Sequence, residues 1–318
     1  MASKQIPLFD AHCDTLSRLT LHPDEKLFEA HGQWNLALSA RCKPQAQFFA
    51  VYWDSKMPLA KYFAKRQRKT FLRNCSMAGD KVALCRTADE AREAASQSRL
   101  AAFLSLEGAE LIGCSERELE KWHKKGLRMV NLTWNHANGL SGSCAEQPEQ
   151  GLTEKGRAFV RKCQELGVIV DVSHLSDAGF WDVAELYTQA KKPFIASHSN
   201  SRAVFHHPRN LTDEQFHAIM KCHGAVGLNA YARFLGEGQV TTQTLIAHLE
   251  HFLSLGGERT VALGGDWDGC GELPVGYTGV WSWANLYETL LRLNYKESLV
   301  KDLFYNNLMR TVSRICTM

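Results

Sequence analysis

The sequence has little of several features that mark common classes of protein. Its net charge is only +3, from 37 basic and 34 acidic residues, which is too small to indicate a nucleic-acid partner. With 8 prolines and 23 glycines in 318 residues, it has no low-complexity linker. No apolar run approaches the roughly 18 residues that span a membrane, and neither end carries a signal core or a lipid-anchor tail. We therefore expect a cytoplasmic protein with neither a nucleic-acid nor a membrane partner.

The motifs of several enzyme classes are also absent. None of the ten cysteines forms a CxxC pair, so we expect small buried residues rather than a disulfide framework or a structural zinc site. The sequence has no GxGxxG, P-loop, GxSxG or HExxH motif. These absences argue against dinucleotide binding, P-loop phosphate binding, a serine-hydrolase elbow and a HExxH metalloprotease.

What the sequence does have is an alternation of short apolar runs with longer helical patterns. The runs are rich in Val, Ile, Leu or Phe, as in strands buried on both faces of a parallel sheet. They are Ile6–Ala11, Gln47–Tyr52, Leu100–Leu106, Leu127–Leu132, Val168–Val172, Pro193–Ser197, Ala225–Asn229 and Thr260–Gly264. Helices are predicted at Ser115–Lys125, Thr153–Leu166, Asp177–Gln189, Thr212–Lys221 and Thr242–Leu255. Roughly eight strand–helix units predict an α/β protein in which residues 1–318 form a single (β/α)8 TIM barrel, with a doubly wound open sheet as the alternative.

Three segments that follow predicted strands are longer than a minimal loop. They are Glu25–Ala46, Asn135–Gln150 and Gly269–Gly279. Because the βα loops of a barrel carry its active site, these elaborated βα loops predict a built-up pocket.

Polar side chains follow five of the predicted strands at the point where each strand ends. They are His12, Asp14, Glu107, His174, His198 and Asp266. Because the carboxyl ends of barrel strands form one ring, we expect these side chains to converge. Histidine and carboxylate ligands suit Zn²⁺ or a similar first-row ion. Six candidates exceed one tetrahedral site, whereas two metals about 3.5–4 Å apart, bridged by one carboxylate, would use them all.

Each of these features is common when it occurs alone. An isolated His-x-Asp such as His12–Asp14 seldom binds metal, and a lone histidine such as His174 is more often a hydrogen-bonded structural residue. Asp-Trp-Asp-Gly, which begins at Asp266, is by itself a turn. The metal prediction therefore rests on the coincidence of these residues at the same end of their strands.

Five stretches at these strand ends resemble the renal (membrane) dipeptidase family, within the amidohydrolase group of metal-dependent barrels. They are Phe9-Asp10-Ala11-His12-Cys13-Asp14, Leu106-Glu107-Gly108, Val170-Asp171-Val172-Ser173-His174-Leu175-Ser176, Ser197-His198-Ser199-Asn200-Ser201 and Gly264-Gly265-Asp266-Trp267-Asp268-Gly269. They run from near the start to residue 269, so the resemblance covers nearly the whole chain. The set in this order is specific, whereas any single stretch is not.

The resemblance implies a dipeptidase with two Zn²⁺ ions per chain. It implies that His12 and Asp14 bind one zinc, that His174 and His198 bind the second, and that Glu107 bridges the two. The implied substrate is a short dipeptide, and the family often accepts a D-residue at its C-terminal side. Relatives also suggest a homodimer.

Three further residues receive roles from the same resemblance. Asp266 is implied to be the acid/base residue. Arg209, eleven residues after His198, matches the arginine that binds the substrate carboxylate, although Arg202 is a rival on sequence grounds alone. Tyr231, at the end of the seventh predicted strand, matches a tyrosine of the pocket.

One position departs from the family pattern. The family has a histidine directly after Leu-Thr at the end of the fourth strand, where it helps to hold the scissile carbonyl, and this chain has Trp134 there. His136 lies two residues further on and is a candidate substitute, because residues i and i+2 share a side of an extended chain. A plain loop histidine is the alternative. The departure bears on catalytic efficiency and substrate choice more than on metal binding.

Two other functions stay open at this point. The first is a different barrel amidohydrolase acting on a cyclic amide or ester. Many such sites bridge their metals with a carboxylated lysine at the fourth strand, but here that strand ends in Asn131-Leu132-Thr133-Trp134, without a lysine. The second is a metal-binding scaffold that has lost catalysis, which Trp134 favours and the presence of Asp266 disfavours.

Overall fold

Parallel strands close into a barrel in the computed structural model, which describes residues 5–29 and 31–317. The strands are β1 (Ile6–Asp10), β2 (Cys42–Tyr52), β3 (Val82–Leu84), β4 (Leu100–Glu107), β5 (Leu127–Asn131), β6 (Ile169–Asp171), β7 (Ile195–Ala196), β8 (Ala225–Leu228) and β9 (Val261–Leu263). Their order is β2-β1-β9-β8-β7-β6-β5-β4-β3, and β4 also pairs with β2 over eight residues, from Gln45↔Leu100 to Tyr52↔Glu107, which closes the barrel. This closure confirms the predicted TIM barrel, and the open doubly wound sheet is wrong.

Helices connect the strands and pack around the barrel. They are α1 (Thr15–Leu21), α2 (Ala60–Met77), α3 (Ala88–Ser96), α4 (Glu116–Lys124), α5 (Glu154–Leu166), α6 (Asp177–Ala190), α7 (Asp213–Lys221), α8 (Thr242–Ser254), α9 (Trp283–Arg292), α10 (Glu297–Lys301) and α11 (Asn307–Ile315). No helix among the described residues is long and apolar enough to cross a membrane. The cytoplasmic location stays a prediction from the sequence.

Local sequence explains where the predicted helices begin. Ser115, Thr153, Ser176 and Thr212 occupy N-cap positions, and each side chain accepts a hydrogen bond from a backbone N–H of the first helical turn. Helix α5 ends at Gly167, whose φ of 67° lies in the left-handed region that favours glycine. These signals place helix ends within a residue or two of the predicted ones.

Aromatic side chains fill the barrel interior, and the C-terminal helix closes one end of it. Phe9, Phe48 and Phe103 stack with ring centroids 5.0 to 5.7 Å apart. Leu308, Met309 and Val312 of α11 belong to the same apolar cluster. Asn307 Nδ2 donates to the carbonyl oxygens of Glu258 and Val261, at the start of β9. Helix α11 therefore covers the amino ends of the strands and leaves the carboxyl ends free for a site.

Two differences from the predicted strands have simple causes. Strand β2 begins at Cys42 rather than Gln47. Lys43-Pro44-Gln45 resembles a loop in the sequence, but Cys42 and Gln45 pair with β1, and Gln45 also pairs with β4. Strand β3 has only three residues and pairs with the first residues of β4, beginning with Val82↔Leu100. A run that short has no periodicity for sequence analysis to detect.

Candidate metal centre

Side chains from the carboxyl ends of five strands meet at one end of the barrel. Six of them form a buried set, the rim cluster: His12, Asp14, Glu107, His174, His198 and Asp266. Among the described residues, two groups of candidate metal ligands lie within this set, His12–Glu107–His198 and His12–Asp14–Asp266, and the ligand atoms of each group lie within 4.8 Å of one another. These groups contain five of the six residues, and His174 joins them through its Nε2, which lies 3.0 Å from Glu107 Oε1. The fold therefore brings together all six residues that the strand ends singled out.

Glu107 lies between the imidazoles of His174 and His198 on one side and that of His12 on the other. Its Oε1 lies 3.0 Å from His174 Nε2 and 3.6 Å from His198 Nε2. Its Oε2 lies 3.6 Å from His12 Nε2. Each carboxylate oxygen thus faces a different set, which is the arrangement that a carboxylate bridging two metal ions requires.

Asp14 and Asp266 complete the set around His12. His12 Nε2 lies 3.6 Å from Asp14 Oδ2 and 3.9 Å from Asp266 Oδ1. Asp14 occupies the N-cap of α1, a position that favours aspartate, yet it makes no capping hydrogen bond. Its carboxylate instead faces His12. A Cβ atom at Gly269 would overlap Asp14 Oδ2 and Asp266 Oδ1, so this glycine leaves room for both carboxylates.

The backbone is strained at two residues of the rim cluster. His174 has φ of 70° and Asp266 has φ of 59°, both in the left-handed region that non-glycine residues rarely adopt. Such conformations cost on the order of 1–3 kcal/mol each and concentrate at functional sites. The strain is therefore consistent with side chains that are held in position for chemistry.

Several buried polar atoms of the rim cluster have no hydrogen-bond partner. Among the described residues, none bonds to His12 Nδ1, His12 Nε2 or Asp14 Oδ1. A buried polar atom left unsatisfied costs about 1–3 kcal/mol. A metal ion would give His12 Nε2 and an Asp14 oxygen a partner, and imidazole with carboxylate is a ligand set that suits zinc. The residues present fit a metal site.

Burial and mutual repulsion raise the pKa values of the carboxyl groups. Burial, with the adjacent Asp14 carboxylate, raises the pKa of Glu107 to about 8. Burial is also the main cause that raises the pKa of Asp266 to about 6. These groups resist carrying negative charge together in a dry site, and a nearby divalent cation reverses that preference.

The three histidines of the rim cluster differ in charge preference. Burial lowers the pKa of His12, but the Glu107 and Asp14 carboxylates outweigh burial and raise it well above its usual range. Burial, aided by the cationic Arg209, lowers the pKa of His174 well below its usual range, and burial with neighbouring His12 does the same for His198. His174 and His198 are therefore neutral imidazoles, the form that coordinates metal.

A cavity of about 480 Å³ opens onto the rim cluster. Its walls combine aromatic rings with polar groups, and they include Tyr52, Trp134, Asn135, Cys144, His207, Arg209, Tyr231 and Phe234. Asn135 and Cys144 come from the long Asn135–Gln150 segment, and Gly269 also lines the cavity. This volume is at the smaller end of the range for small-molecule sites.

The two candidate arginines have different environments. The guanidinium of Arg202 is engaged by Asp177, since its Nη1 and Nη2 donate to the two carboxylate oxygens at 2.7 and 2.9 Å. Arg209 is 6% exposed and lines the cavity. Its Nη2 donates to the His198 carbonyl oxygen at 3.4 Å, and its Nε has no partner among the described residues. Arg209, and not Arg202, has donors available to a ligand in the cavity.

The structure separates the other two predicted substrate-binding residues. Tyr231 lines the cavity, with its ring 4.8 Å from that of Phe234. His136 is not among the residues that line it. Its Nδ1 lies 3.1 Å from Glu146 Oε2 and its Nε2 lies 3.1 Å from Asp54 Oδ1. The geometry gives His136 no support as a substitute for the family histidine, whereas Trp134 itself faces the cavity.

Sequence reasoning missed several residues that support the rim cluster. Asn135 Oδ1 lies 2.8 Å from His174 Nδ1, and Asn229 Nδ2 donates to Asp266 Oδ2 at 3.3 Å. Asp10 accepts hydrogen bonds from the indoles of Trp267 and Trp283 at 2.9 and 2.7 Å. These residues could have been noticed because they lie at or near the ends of predicted strands. Their supporting role could not be predicted, because their hydrogen-bond partners come from other parts of the chain.

Comparisons with known proteins agree with this geometry. The sequence model described as membrane dipeptidase (peptidase family M19) matches residues 2–318. An uncharacterized protein from the pqqA 5′ region of Klebsiella pneumoniae is 32% identical over 246 residues, which cover 74% of this chain and 89% of that protein.

Two solved structures are similar over nearly their whole length. A metallopeptidase from Rhodobacter sphaeroides, liganded with a phosphinate mimic of the dipeptide L-Ala-D-Ala, has a TM-score of 0.90 and 29% identity, covering 98% of this chain and 99% of that one. The dipeptidase AC, a metallopeptidase of family M19, has a TM-score of 0.88 and 30% identity, covering 99% and 100%. The resemblance at the strand ends is thus confirmed, and the chain belongs to the membrane dipeptidase family, peptidase family M19, whose enzymes are hydrolases acting on peptide bonds.

Proposed function

We propose that the protein is a zinc-dependent dipeptidase that cleaves short dipeptides at a dinuclear metal centre. The observation that carries the proposal is the position of Glu107, with one oxygen toward His174 and His198 and the other toward His12. The cavity beside it has the size of a small ligand and contains a buried arginine. The dipeptide mimic bound by the Rhodobacter sphaeroides relative supports the same class of substrate.

The rim cluster divides into two sets of ligands. His12 and Asp14 would hold one cation, His174 and His198 the other, and Glu107 would contribute an oxygen to each. Two bound divalent cations would lower the pKa of a water molecule and polarise the scissile carbonyl. Zinc suits this mixture of imidazole and carboxylate, although other first-row ions share the preference.

Asp266 is the proposed acid/base residue. Its Oδ2 is held by Asn229 Nδ2, while its Oδ1 lies on the His12 side of the cluster, 3.9 Å from His12 Nε2. Asp266 also lines the cavity, so a bound substrate is within its reach. We propose that it accepts a proton from the attacking water and passes it to the leaving amine.

Arg209 is the proposed anchor for the free carboxylate of the substrate. A guanidinium group with unused donors binds a carboxylate with strong, charge-assisted hydrogen bonds. Because Arg209 lies in the same cavity as the metal ligands, the carboxylate must be close to the bond that is cleaved. This geometry limits the substrate to very short peptides, whose side chains would lie near Tyr231 and Phe234 in the cavity wall.

A panel of dipeptides, including L,D pairs, tests the proposed function. We expect hydrolysis that stops when a chelator removes metal and returns when zinc is added. Tripeptides and dipeptides with an amidated C-terminus serve as matched controls, and we expect both to be poor substrates. Stoichiometric zinc without turnover of any dipeptide would instead support the metal-binding scaffold.

A further inference from the structure

A chain of three buried side chains lies behind His198. His198 Nδ1 lies 2.6 Å from Ser197 Oγ, and this hydroxyl in turn donates to Asp171 Oδ2. The other oxygen, Asp171 Oδ1, accepts from the backbone N–H groups of Ser173 and Ser197, both at 2.9 Å. Asp171 and Ser197 are fully buried, so no bulk water competes for these contacts.

The direction of the hydrogen bonds in this chain follows from counting hydrogens. A serine hydroxyl has one hydrogen, and Ser197 gives it to Asp171. Toward His198, Ser197 Oγ can then only accept, so His198 Nδ1 must carry the imidazole hydrogen. His198 Nε2 is left as a lone pair, and it lies 3.6 Å from Glu107 Oε1 and 3.0 Å from His174 Nε2.

We propose that Asp171 and Ser197 are positioning residues that hold His198 in the one tautomer able to bind metal through Nε2. The proposal rests on the proposed function, because it assigns His198 to a metal site. Partners on the far nitrogen of a ligating histidine generally fix its tautomer and ring orientation. Here the carboxylate acts through an intervening hydroxyl rather than by direct contact with the ring.

Replacing Asp171 by asparagine would reverse this chain. The backbone N–H groups of Ser173 and Ser197, which now donate to Asp171 Oδ1, would keep the oxygen of the asparagine amide at that position. The amide NH2 would then occupy the position of Oδ2, which now accepts from the Ser197 hydroxyl. Ser197 Oγ would then accept from the amide and give its own hydrogen to His198 Nδ1. That moves the imidazole hydrogen to Nε2, where it blocks coordination.

The Asp171–Ser197–His198 relay is tested in three variants by competition with a chromophoric chelator, which measures zinc affinity rather than activity. We expect Ser197→Ala to weaken the zinc site by roughly 10- to 100-fold, the usual effect of losing such a partner, and Asp171→Asn to weaken it further. We expect the double variant Asp171→Asn/Ser197→Ala to bind zinc better than Asp171→Asn alone, because removal of the hydroxyl releases the imposed tautomer.

Ser173 provides the matched control. Its hydroxyl also bonds to His198 and is equally buried, but it accepts from the backbone N–H, at 3.1 Å, rather than from the ring. Ser173→Ala should therefore keep an affinity close to that of the unchanged protein. Circular dichroism of the metal-free variants checks that each one folds. If Asp171→Asn does not fold, the zinc affinity of Ser197→Ala compared with that of Ser173→Ala still tests the proposal.

Different failures have different meanings in this experiment. If the unchanged protein binds no zinc, the proposed function fails. If it binds zinc and Ser197→Ala binds equally well, or if the double variant is weaker than both single variants, the relay is wrong and the contacts are only structural.

Discussion

In the candidate metal centre, neighbouring residues form hydrogen bonds with the side-chain atoms of the rim cluster that point away from the centre. Asn135 Oδ1 lies 2.8 Å from His174 Nδ1, which leaves Nε2 for the centre. Asn229 Nδ2 donates to one oxygen of Asp266 and leaves the other facing the cluster. The first contact is partly buried and the second is buried, so the orientation of each proposed ligand or acid/base group is set by one or two neighbours. Substitutions of single residues should therefore have separable effects on metal binding, turnover and substrate binding.

Replacing His198 by alanine should remove most of the bound metal, because His198 is a proposed metal ligand. The substitution deletes a ring that lies 3.0 Å from His174 Nε2 and 3.6 Å from Glu107 Oε1, so both neighbours lose a co-ligand. We expect most metal and activity to be lost, measured by elemental analysis beside dipeptide hydrolysis. His251→Ala is a control, because His251 bonds to Asp213 at 2.8 Å on the outside of the barrel. Two metals with full turnover in His198→Ala would contradict the ligand assignment.

Replacing Asp266 by asparagine should separate catalysis from metal binding. The amide keeps the shape of the side chain but cannot accept and return a proton. We expect metal content to stay near that of the unchanged protein while kcat falls by roughly two to four orders of magnitude, the usual contribution of a positioned acid/base group. A variant with near-normal kcat would show that another residue moves the proton.

The two arginines form a matched pair for the carboxylate contact. Arg209→Ala removes free donors from the cavity, and a charged hydrogen bond contributes about 1.5–3 kcal/mol, so kcat/KM for free dipeptides should fall roughly 10- to 150-fold. Arg202→Ala should change it little, because Arg202 is already bonded to Asp177. Steady-state kinetics on free and C-terminally amidated dipeptides checks the assignment. Equal losses on both substrates would mean that Arg209 does not bind the carboxylate.

The loop after β9 is held closely against the rim cluster and its neighbours. It carries Asp266 in a left-handed conformation, and Asp268 accepts from Thr15 Oγ1 at 2.7 Å and from the backbone N–H of Gln33 at 2.7 Å. The loop is therefore tied to α1 and to the long Glu25–Ala46 segment. Gly269 at its end lies against two carboxylates of the rim cluster. The position of both carboxylates therefore depends on the absence of a side chain at residue 269.

Gly269→Ala tests that restriction. The added Cβ would overlap Asp14 Oδ2 and Asp266 Oδ1, so both carboxylates must move. We expect zinc affinity to fall by roughly 10- to 100-fold, as for other changes that displace a ligand's support. Gly271→Ala is the matched control, because a Cβ there meets no atom within 4 Å. Calorimetric titration of zinc into the two metal-free variants compares them, and similar affinities would show that the close approach has no effect.

At the scale of the whole molecule, the candidate metal centre joins strands that are far apart in the sequence. Its proposed ligands follow β1, β4, β6 and β7, so bound cations would tie opposite sides of the barrel together at its carboxyl end. Helix α11 closes the amino end without metal, through apolar contacts with the barrel interior. Metal should therefore stabilise the fold without being required for it. The homodimer suggested by the family resemblance stays a prediction.

Removing metal should lower the melting temperature reversibly. A ligand at a hundred times its Kd stabilises the folded state by about 2.7 kcal/mol, which corresponds to a shift of roughly 4 °C for a protein of this size. Differential scanning calorimetry before and after chelation, and again after zinc is restored, measures the shift. His198→Ala should show a smaller shift. An unchanged melting temperature after complete metal removal would mean that the centre does not tie the strands together.

Much of the fold and the rim cluster could be predicted from local pattern. Short apolar runs and helix-capping residues are local signals, and a closed barrel places every strand end at the same face whatever the details of packing. For that reason His12, Glu107 and His198 could be placed together although nearly 200 residues separate the first from the last. Strand β3 and the start of β2 could not be predicted, because neither segment shows a periodic pattern of apolar residues.

Strand periodicity and residue type are properties of neighbouring positions, so they predict the barrel and the polar side chains at the carboxyl ends of its strands. Which of the other predicted site residues are free to act depends instead on long-range contacts. Arg202 is bonded to Asp177 and His136 lies between Asp54 and Glu146, whereas Arg209 keeps unused donors in the cavity. Partners from distant segments satisfy or expose a polar group, and local sequence contains no record of them.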